Sequence, residues 1–326
     1  MKKDLTVVIT TFNRKNRLLV QLKSLLKQPL SKNINIVISD NCSDYDIDKT
    51  LESNFSQEML SNVEVVRRPF NIGMIGNISG AFSMSNTKWM WLLSDDDETS
   101  IDSISTIFKY INLFPEIMAF KFTEIGLPVK TKYEVTNVSS VRDLLEFCSK
   151  SGVDLGNFIF MSNNVYNMEA LYPHLGSASV YSYTYFPHMI PILVGLNQGG
   201  ELKFIPEQIV SYQIPEVPAA SNYLVSIYLG AMSIADIPFK LSAIDYRNLR
   251  EFFRMNVFWE ISNDFYNSSY LQKRYLYRKI YKSVFGVSWS FKNIIIYRLF
   301  DFQMFIGSNA ASNFCFKLKE TVRKVL

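Results

Sequence analysis

The chain has 326 residues, 48% hydrophobic and 20% charged, enough apolar mass for one large domain or a domain with an appendage. No run approaches the roughly 18 apolar residues of a membrane span, because the best candidate, IIIYRLFDFQMFI, is broken by Arg298 and Asp301. The formal charge of +4 is unevenly placed: residues 271–326 hold 11 Lys and Arg against Asp301 and Glu320, a local +9 that leaves −5 for the remainder.

That basic, aromatic-rich segment suits an anionic surface, membrane or nucleic acid, or else a solvated helical face. At the other end MKKDLTVVITTFNR turns polar too early for a secretory leader. Cys42, Cys148 and Cys315 have no metal-ligand spacing and cannot all pair, which points to a reducing compartment. The expectation is a soluble, cytoplasmic protein.

Taken in chain order, LTVVIT (5–10) and INIVIS (34–39) are β-branched runs of the kind buried in a parallel sheet. Leu18, Leu19, Leu22, Leu25 and Leu26 repeat between them at helical spacing, and Pro29 closes that helix. VEVVRR (63–68) and WMWLLS (89–94) supply two more strands, and Ile101, Ile104, Ile107, Phe108 and Ile111 mark the next helix. This alternation predicts a doubly wound, mostly parallel α/β sheet with helices on both faces. Further on, MAFKF (118–122) and NFIFMS (157–162) are expected strands, and KFIPEQIVSYQIPEVPAAS reads as a Pro-punctuated connection. From Tyr223 the pattern is helical, with a boundary near Pro215 to Pro218. The expected division is thus an α/β domain over 1–215 and a helical, basic region over 216–326.

Three polar stretches fall where strands end: TTFNR, SDNCSDYD and SDDDE. Ligands of open α/β sheets bind at those ends. Adjacent carboxylates at Asp95, Asp96 and Asp97 raise one another's pKa unless a cation neutralises them, and hard ions such as Mg²⁺ or Mn²⁺ share such oxygens with substrate phosphates. The competing reading is a solvated turn in which Asp97 or Thr99 caps the next helix. Neither G-x-G-x-x-G nor G-x-x-x-x-G-K-[ST] occurs, which excludes ordinary dinucleotide enzymes and P-loop ATPases.

The ordered segments VVITTFNRKNRL, IVISDNCSD, RPFNIGMIGNI and WMWLLSDDDE resemble the signature of glycosyltransferase family 2, enzymes of the GT-A fold. The likeness covers about residues 4–110, the donor half, and is looser over the acceptor half, 111–215. Trp before Ser-Asp-Asp-Asp is similar to bacterial enzymes that assemble O-antigen or capsular polysaccharide. The resemblance implies that Thr10, Thr11, Asn13 and Arg14 lie beside the nucleotide and that Asp40 accepts a hydrogen bond from its base. It implies that Asn71, Gly73 and Asn77 line the ribose and diphosphate. Asp95 and Asp97 match the outer members of the D-x-D motif that contacts ribose and metal, with Asp96 the primary ligand if the alignment shifts by one residue.

It implies, further, an inverting transferase using Mg²⁺ or Mn²⁺. Its donor is a nucleotide-diphosphate sugar and its acceptor a lipid-linked glycan, with no nucleic acid. The place implied is the inner face of the cytoplasmic membrane, the C-terminal helices offering an oligomer contact. The chain departs from the family pattern where an acidic base is expected. No carboxylate lies between Glu169 and Glu201, so His188 becomes the candidate base, ahead of His174, with Asp154, Glu169 and Glu207 behind it. Two rival functions are a nucleotidyltransferase, which normally needs a glycine-rich loop that TTFNRKNR lacks, and a non-catalytic carbohydrate- or membrane-binding protein.

Overall fold

The computed structural model describes residues 3–125, 133–153, 155–211, 227 and 230–253. The basic segment 271–326 and most of the helical stretch expected from Tyr223 lie outside these residues. The chain divides into two compact units, one of Met1–Pro218 with Ile237–Leu249 and one of Ala219–Asp236 with Arg250–Leu326. In the second, Ala231, Ile234 and Ala235 are buried around a 3₁₀ turn at Ile234–Asp236.

The first unit begins with β1 (Leu5–Thr11), α1 (Lys15–Leu26), β2 (Ile34–Asp40), α2 (Ile47–Glu52), β3 (Val63–Arg67), α3 (Gly73–Ala81) and β4 (Trp89–Ser94). The four strands lie side by side in the order β3-β2-β1-β4, all parallel. Alternate residues of each strand face opposite sides. Leu5, Val7 and Ile9, Ile34, Ile36 and Ile38, and Trp89, Trp91 and Leu93 form columns on one face. They are packed with Leu18, Leu22 and Leu25 of α1 and Ile47 and Leu51 of α2. The opposite face carries α3. The expected helix on both faces is therefore present.

The chain continues with β5 (Glu98–Thr99), α4 (Ser103–Leu113), β6 (Ala119–Ile125), β7 (Thr136–Val138), α5 (Val141–Ser151), α6 (Leu155–Ile159) and β8 (Asn164–Asn167). There follow α7 (Met168–Leu171), α8 (Gly176–Val180), α9 (Ile190–Leu196) and β9 (Leu202–Ser211). These complete a nine-stranded sheet: β8 runs antiparallel between β4 and β6, β6 and β9 are parallel, and β5 and β7 pair antiparallel to β9.

Three expectations need correction. The run 157–162 is not a strand: it holds the end of α6 and a turn, and the strand follows at 164–167. Four apolar residues in a run of six do not separate a period of two from one of 3.6. Here Asn164 decides, its Nδ2 donating to the carbonyls of Phe160 and Met161 (2.7 and 2.8 Å), which closes the helical turn. The first part of the supposed connection, 203–211, is instead strand β9, while its remainder lies outside the described residues. Pro206 falls in a register break, where Ile205 pairs with Phe122 but Gln208 with Thr123. A bulge is where a strand tolerates proline. Finally, neither Asp97 nor Thr99 caps a helix. Thr99 lies in β5, α4 begins at Ser103, and Ile101 is 83% exposed rather than on the helix's apolar face.

Candidate active site

The apolar columns of one sheet face each end in a polar residue. Leu5–Val7–Ile9 continues to Thr11, Ile34–Ile36–Ile38 to Asp40, Val63–Val65 to Arg67, and Trp89–Trp91–Leu93 to Asp95 just past β4. The period of two that packs the core thus places these four on the same face at neighbouring strand ends. Thr11 and Asp40 are register partners. Thr11 Oγ1 donates to Asp95 Oδ2 at 2.6 Å, and Arg67 Nη1 stands 3.5 Å from Asp40 Oδ2.

Asp95 is 2% exposed, and burial pushes its carboxyl up to about 6 despite Thr11 and Arg14. Arg14 Nη1 bridges it to Asp96, at 3.0 and 2.5 Å. Burial alone would lower the Arg14 pKa, but the two carboxylates more than offset this and hold it above its ordinary value. Asp97 is also buried, its Oδ2 accepting from Ser162 Oγ at 2.5 Å. Ser94 Oγ donates to Asp96.

Asp40 is wholly buried. Its Oδ1 accepts from the Ser43 amide (3.0 Å) and hydroxyl (2.6 Å), while Oδ2 has no hydrogen-bond donor among the described residues. Asn13, at φ 54°, donates its amide to Ser43 Oγ and accepts at Oδ1 from the Asp44 amide, tying the ends of β1 and β2 together. Asn41 links this pair to the next loop. Its Nδ2 donates to Asn71 Oδ1 (2.8 Å) and to the Gly73 carbonyl, and its Oδ1 accepts from the Ile72 amide. Gly73 donates its amide to Asn71 Oδ1 and opens α3 at φ 76°, where a side chain would be strained although no atom would obstruct it.

Thr11, Arg14, Asp95 and Asp96 are therefore joined by short contacts, Asn13 and Asp40 through Ser43, and Asn71 and Gly73 through Asn41, while Asp97 is held by Ser162. Thr10 is half-buried on the other face, between Ser39 and Ser94. Two residues stand apart. Asn77 is 4% exposed, and its amide is consumed internally: Oδ1 accepts from Ser39 Oγ and Arg68 Nε, and Nδ2 donates to the Ser39 carbonyl. It fastens α3 to β2 rather than lining a pocket. His188, expected as the base, is 4% exposed, with Nε2 on the Ile159 carbonyl at 2.7 Å and its ring against Phe186. Burial lowers its pKa to about 4, so it is neutral at pH 7 and shut away from solvent. The structure removes the grounds for a histidine base.

The motifs missed four residues. Asn41 and Ser43 sit inside a quoted motif, and their polarity at a strand end was the available signal. Tyr45 packs against this group, and burial, then the Asp40 charge, raises its pKa. Lys121 is 0% exposed in β6; a lysine amid MAFKF was the sequence clue.

Among the described residues, no group of three His, Cys, Asp or Glu side chains could hold a metal ion. A cation held here would take one or two carboxylates from the chain and draw its other ligands from phosphate and water. That donor set suits Mg²⁺ or Mn²⁺, and the cost of the buried Asp95 charge favours a cation. No helix of the described residues is long and apolar enough to cross a membrane.

A parallel sheet whose strand ends gather a buried aspartate and a carboxylate cluster has its polar groups where open α/β sheets bind ligands. The sequence agrees: the model of glycosyl transferase family 2 matches residues 6–166. The chain carries a family 2 glycosyltransferase domain and is a glycosyltransferase. No curated relative matches. Among solved structures, the fold is similar to S. aureus TarS 1-349 in complex with UDP-GlcNAc (TM-score 0.64, 13% identity, 86% of this chain and 80% of that one). It is also similar to the mannosyltransferase PcManGT from Pyrobaculum calidifontis in complex with GDP-Man and Mn²⁺ (TM-score 0.56, 10% identity, 97% and 84%). The expected GT-A fold is borne out.

Proposed function

We propose that the chain transfers a sugar, with inversion, from a nucleotide-diphosphate donor to a glycan hydroxyl, using Mg²⁺ or Mn²⁺. The observation that carries this reading is the row Arg67, Asp40, Thr11 and Asp95 along one end of the parallel sheet, with Asp97 beside it. Asp40 Oδ2 has no hydrogen-bond donor among the described residues and faces Arg67 Nη1 at 3.5 Å, so a shift of the Arg67 side chain would open it to an N–H of the base. Arg14 and Thr11 orient Asp95 on the ribose side, and the Asn41–Asn71–Gly73 loop flanks the diphosphate. Asp97, with Asp95, would hold the cation, which when bound neutralises charge on the departing diphosphate. The neighbours' bound UDP-GlcNAc, GDP-Man and Mn²⁺ support this choice of ligands.

The acceptor side is read as a lipid-linked glycan of a surface polysaccharide, O-antigen or capsule. The +9 segment 271–326 supports a peripheral position on the anionic inner face of the cytoplasmic membrane. The test is turnover of a panel of nucleotide sugars by the full chain, with and without EDTA. Release of nucleoside diphosphate, abolished by EDTA, is expected. Pyrophosphate release would favour a nucleotidyltransferase, binding without turnover a non-catalytic protein, and undiminished turnover in EDTA would remove the cation.

A further inference from the structure

Asp95 and Asp97 are held from opposite sides. The partners of Asp95, Thr11 and Arg14, come from the end of β1. That of Asp97 is Ser162, in the turn between α6 and β8. Ser162 is fully buried, and its hydroxyl accepts from the Ser94 amide at 2.9 Å while donating to Asp97 Oδ2 at 2.5 Å. A hydroxyl has one proton. With the Ser94 amide on a lone pair, that proton is committed to Asp97. The Ser162 carbonyl in turn accepts Trp91 Nε1 at 2.7 Å, so backbone and side chain are both fixed to β4 and its carboxylate extension.

Behind this turn lies the Lys121 ammonium. Its Nζ donates to the Phe160 carbonyl (2.9 Å), Asn163 Oδ1 (2.5 Å) and Asn164 Oδ1 (3.2 Å), and Asn163 and Asn164 are themselves 0% exposed. These three oxygens bracket Ser162 on both sides in sequence. Burying an ammonium is costly unless its protons are taken up in this way, and an apolar side chain would fill a β6 position without that cost.

We propose that Lys121 and Ser162 are positioning residues for the cation. Lys121 fixes the 160–164 turn, and Ser162 fixes the carboxylate of Asp97 in the orientation a divalent ion requires. The acceptor half of the sheet then sets the geometry of a ligand whose sequence motif lies in the donor half. The inference rests on the reading of Asp97 as a cation ligand.

The experiment titrates Mn²⁺ into the full chain in the presence of UDP or GDP, following the free ion by electron paramagnetic resonance. Nucleotide affinity without metal is measured alongside. Loss of a partner that orients a metal ligand typically weakens metal binding by about 10–100-fold. Ser162→Ala should show that loss with metal-free nucleotide affinity unchanged. Lys121→Met should show the same split, and the double variant should lose no more than either alone, because the two act in series. If Lys121→Met does not fold, Ser162→Ala carries the test. Mn²⁺ affinity within twofold of the parent in Ser162→Ala overturns the proposal, as does an equal loss of metal-free nucleotide binding, which marks general damage. A parent chain that binds no Mn²⁺ with either nucleotide overturns instead the cation reading beneath it.

Discussion

Strands β1 to β4 and strands β5 to β9 solve different problems. The first four run parallel with apolar columns on one face, and each column ends in a residue that can meet a ligand. The other five mix directions, include strands of two to four residues, and take their order from a bulge, short helices and a buried lysine. In the donor half, packing and function are set by the same period of two. In the acceptor half, local sequence does not determine position, because neighbours such as Phe120, Val165 and Lys203 come from distant parts of the chain.

The sharpest way to break the donor half is Asp97→Ala. Removing a preorganised electrostatic group from the reacting centre costs on the order of 10²–10³ in turnover. The melting temperature should fall modestly, because the buried Ser162 hydroxyl loses its acceptor while the like charge beside Asp96 is relieved. Turnover within threefold of the parent would separate Asp97 from the chemistry. Asp40→Ala comes next, with donor affinity weaker by about 1.5–3 kcal/mol, the usual worth of a hydrogen bond to a charged group. Calorimetry with a free nucleoside diphosphate measures it, and an unchanged dissociation constant would take Asp40 out of the site.

These two residues also mark how far the sequence was legible. SDN and SDDD follow strand patterns, so the position of Asp40 and Asp95–Asp97 at neighbouring strand ends was readable from order and periodicity. Asn77 was misplaced because helix α3 starts at Gly73 and turns position 77 inward, onto Ser39. That rotation depends on packing between α3 and β2, which spacing alone does not encode. His188 failed for a related reason: titratable groups can be counted in a sequence, but whether one is enclosed cannot. Ser162 was hidden inside NFIFMS, where Asn164 converts an apolar run into a helix and turn.

A smaller effect sharpens the seam between the halves. The Nε1 of Trp91 in β4 reaches the Ser162 carbonyl, while Trp89 stacks on Phe120 of β6 at 5.2 Å. Trp91→Phe keeps an aromatic ring and removes the donor, costing about 1 kcal/mol of stability by urea denaturation. A loss confined to stability, with donor affinity intact, places Trp91 in the joint rather than in the site.

The smallest effect on turnover is expected of His188→Asn, and pH separates it from Asp95. The folded-state pKa of Asp95 is raised to about 6, above its ordinary 3.8, so the folded chain binds that proton more tightly than the unfolded one. Its contribution to stability is present below pH 3.8 and lost as pH rises through 6. His188 has the opposite sign. Its folded pKa is lowered to about 4 from 6.5, so stability is full above 6.5 and falls as pH drops toward 4. Between pH 7 and 5 the two nearly offset one another in metal-free protein, and the parent's melting temperature should change little. His188→Asn keeps the polarity but removes that proton site, leaving His174, whose pKa burial also lowers, as the histidine that opposes Asp95. The variant should therefore gain stability relative to the parent as pH falls from 7 to 5, while its turnover at pH 7 stays within about threefold of the parent. A loss of about 10²–10⁴-fold in turnover, the usual worth of a general base, would restore histidine to the chemistry despite its burial.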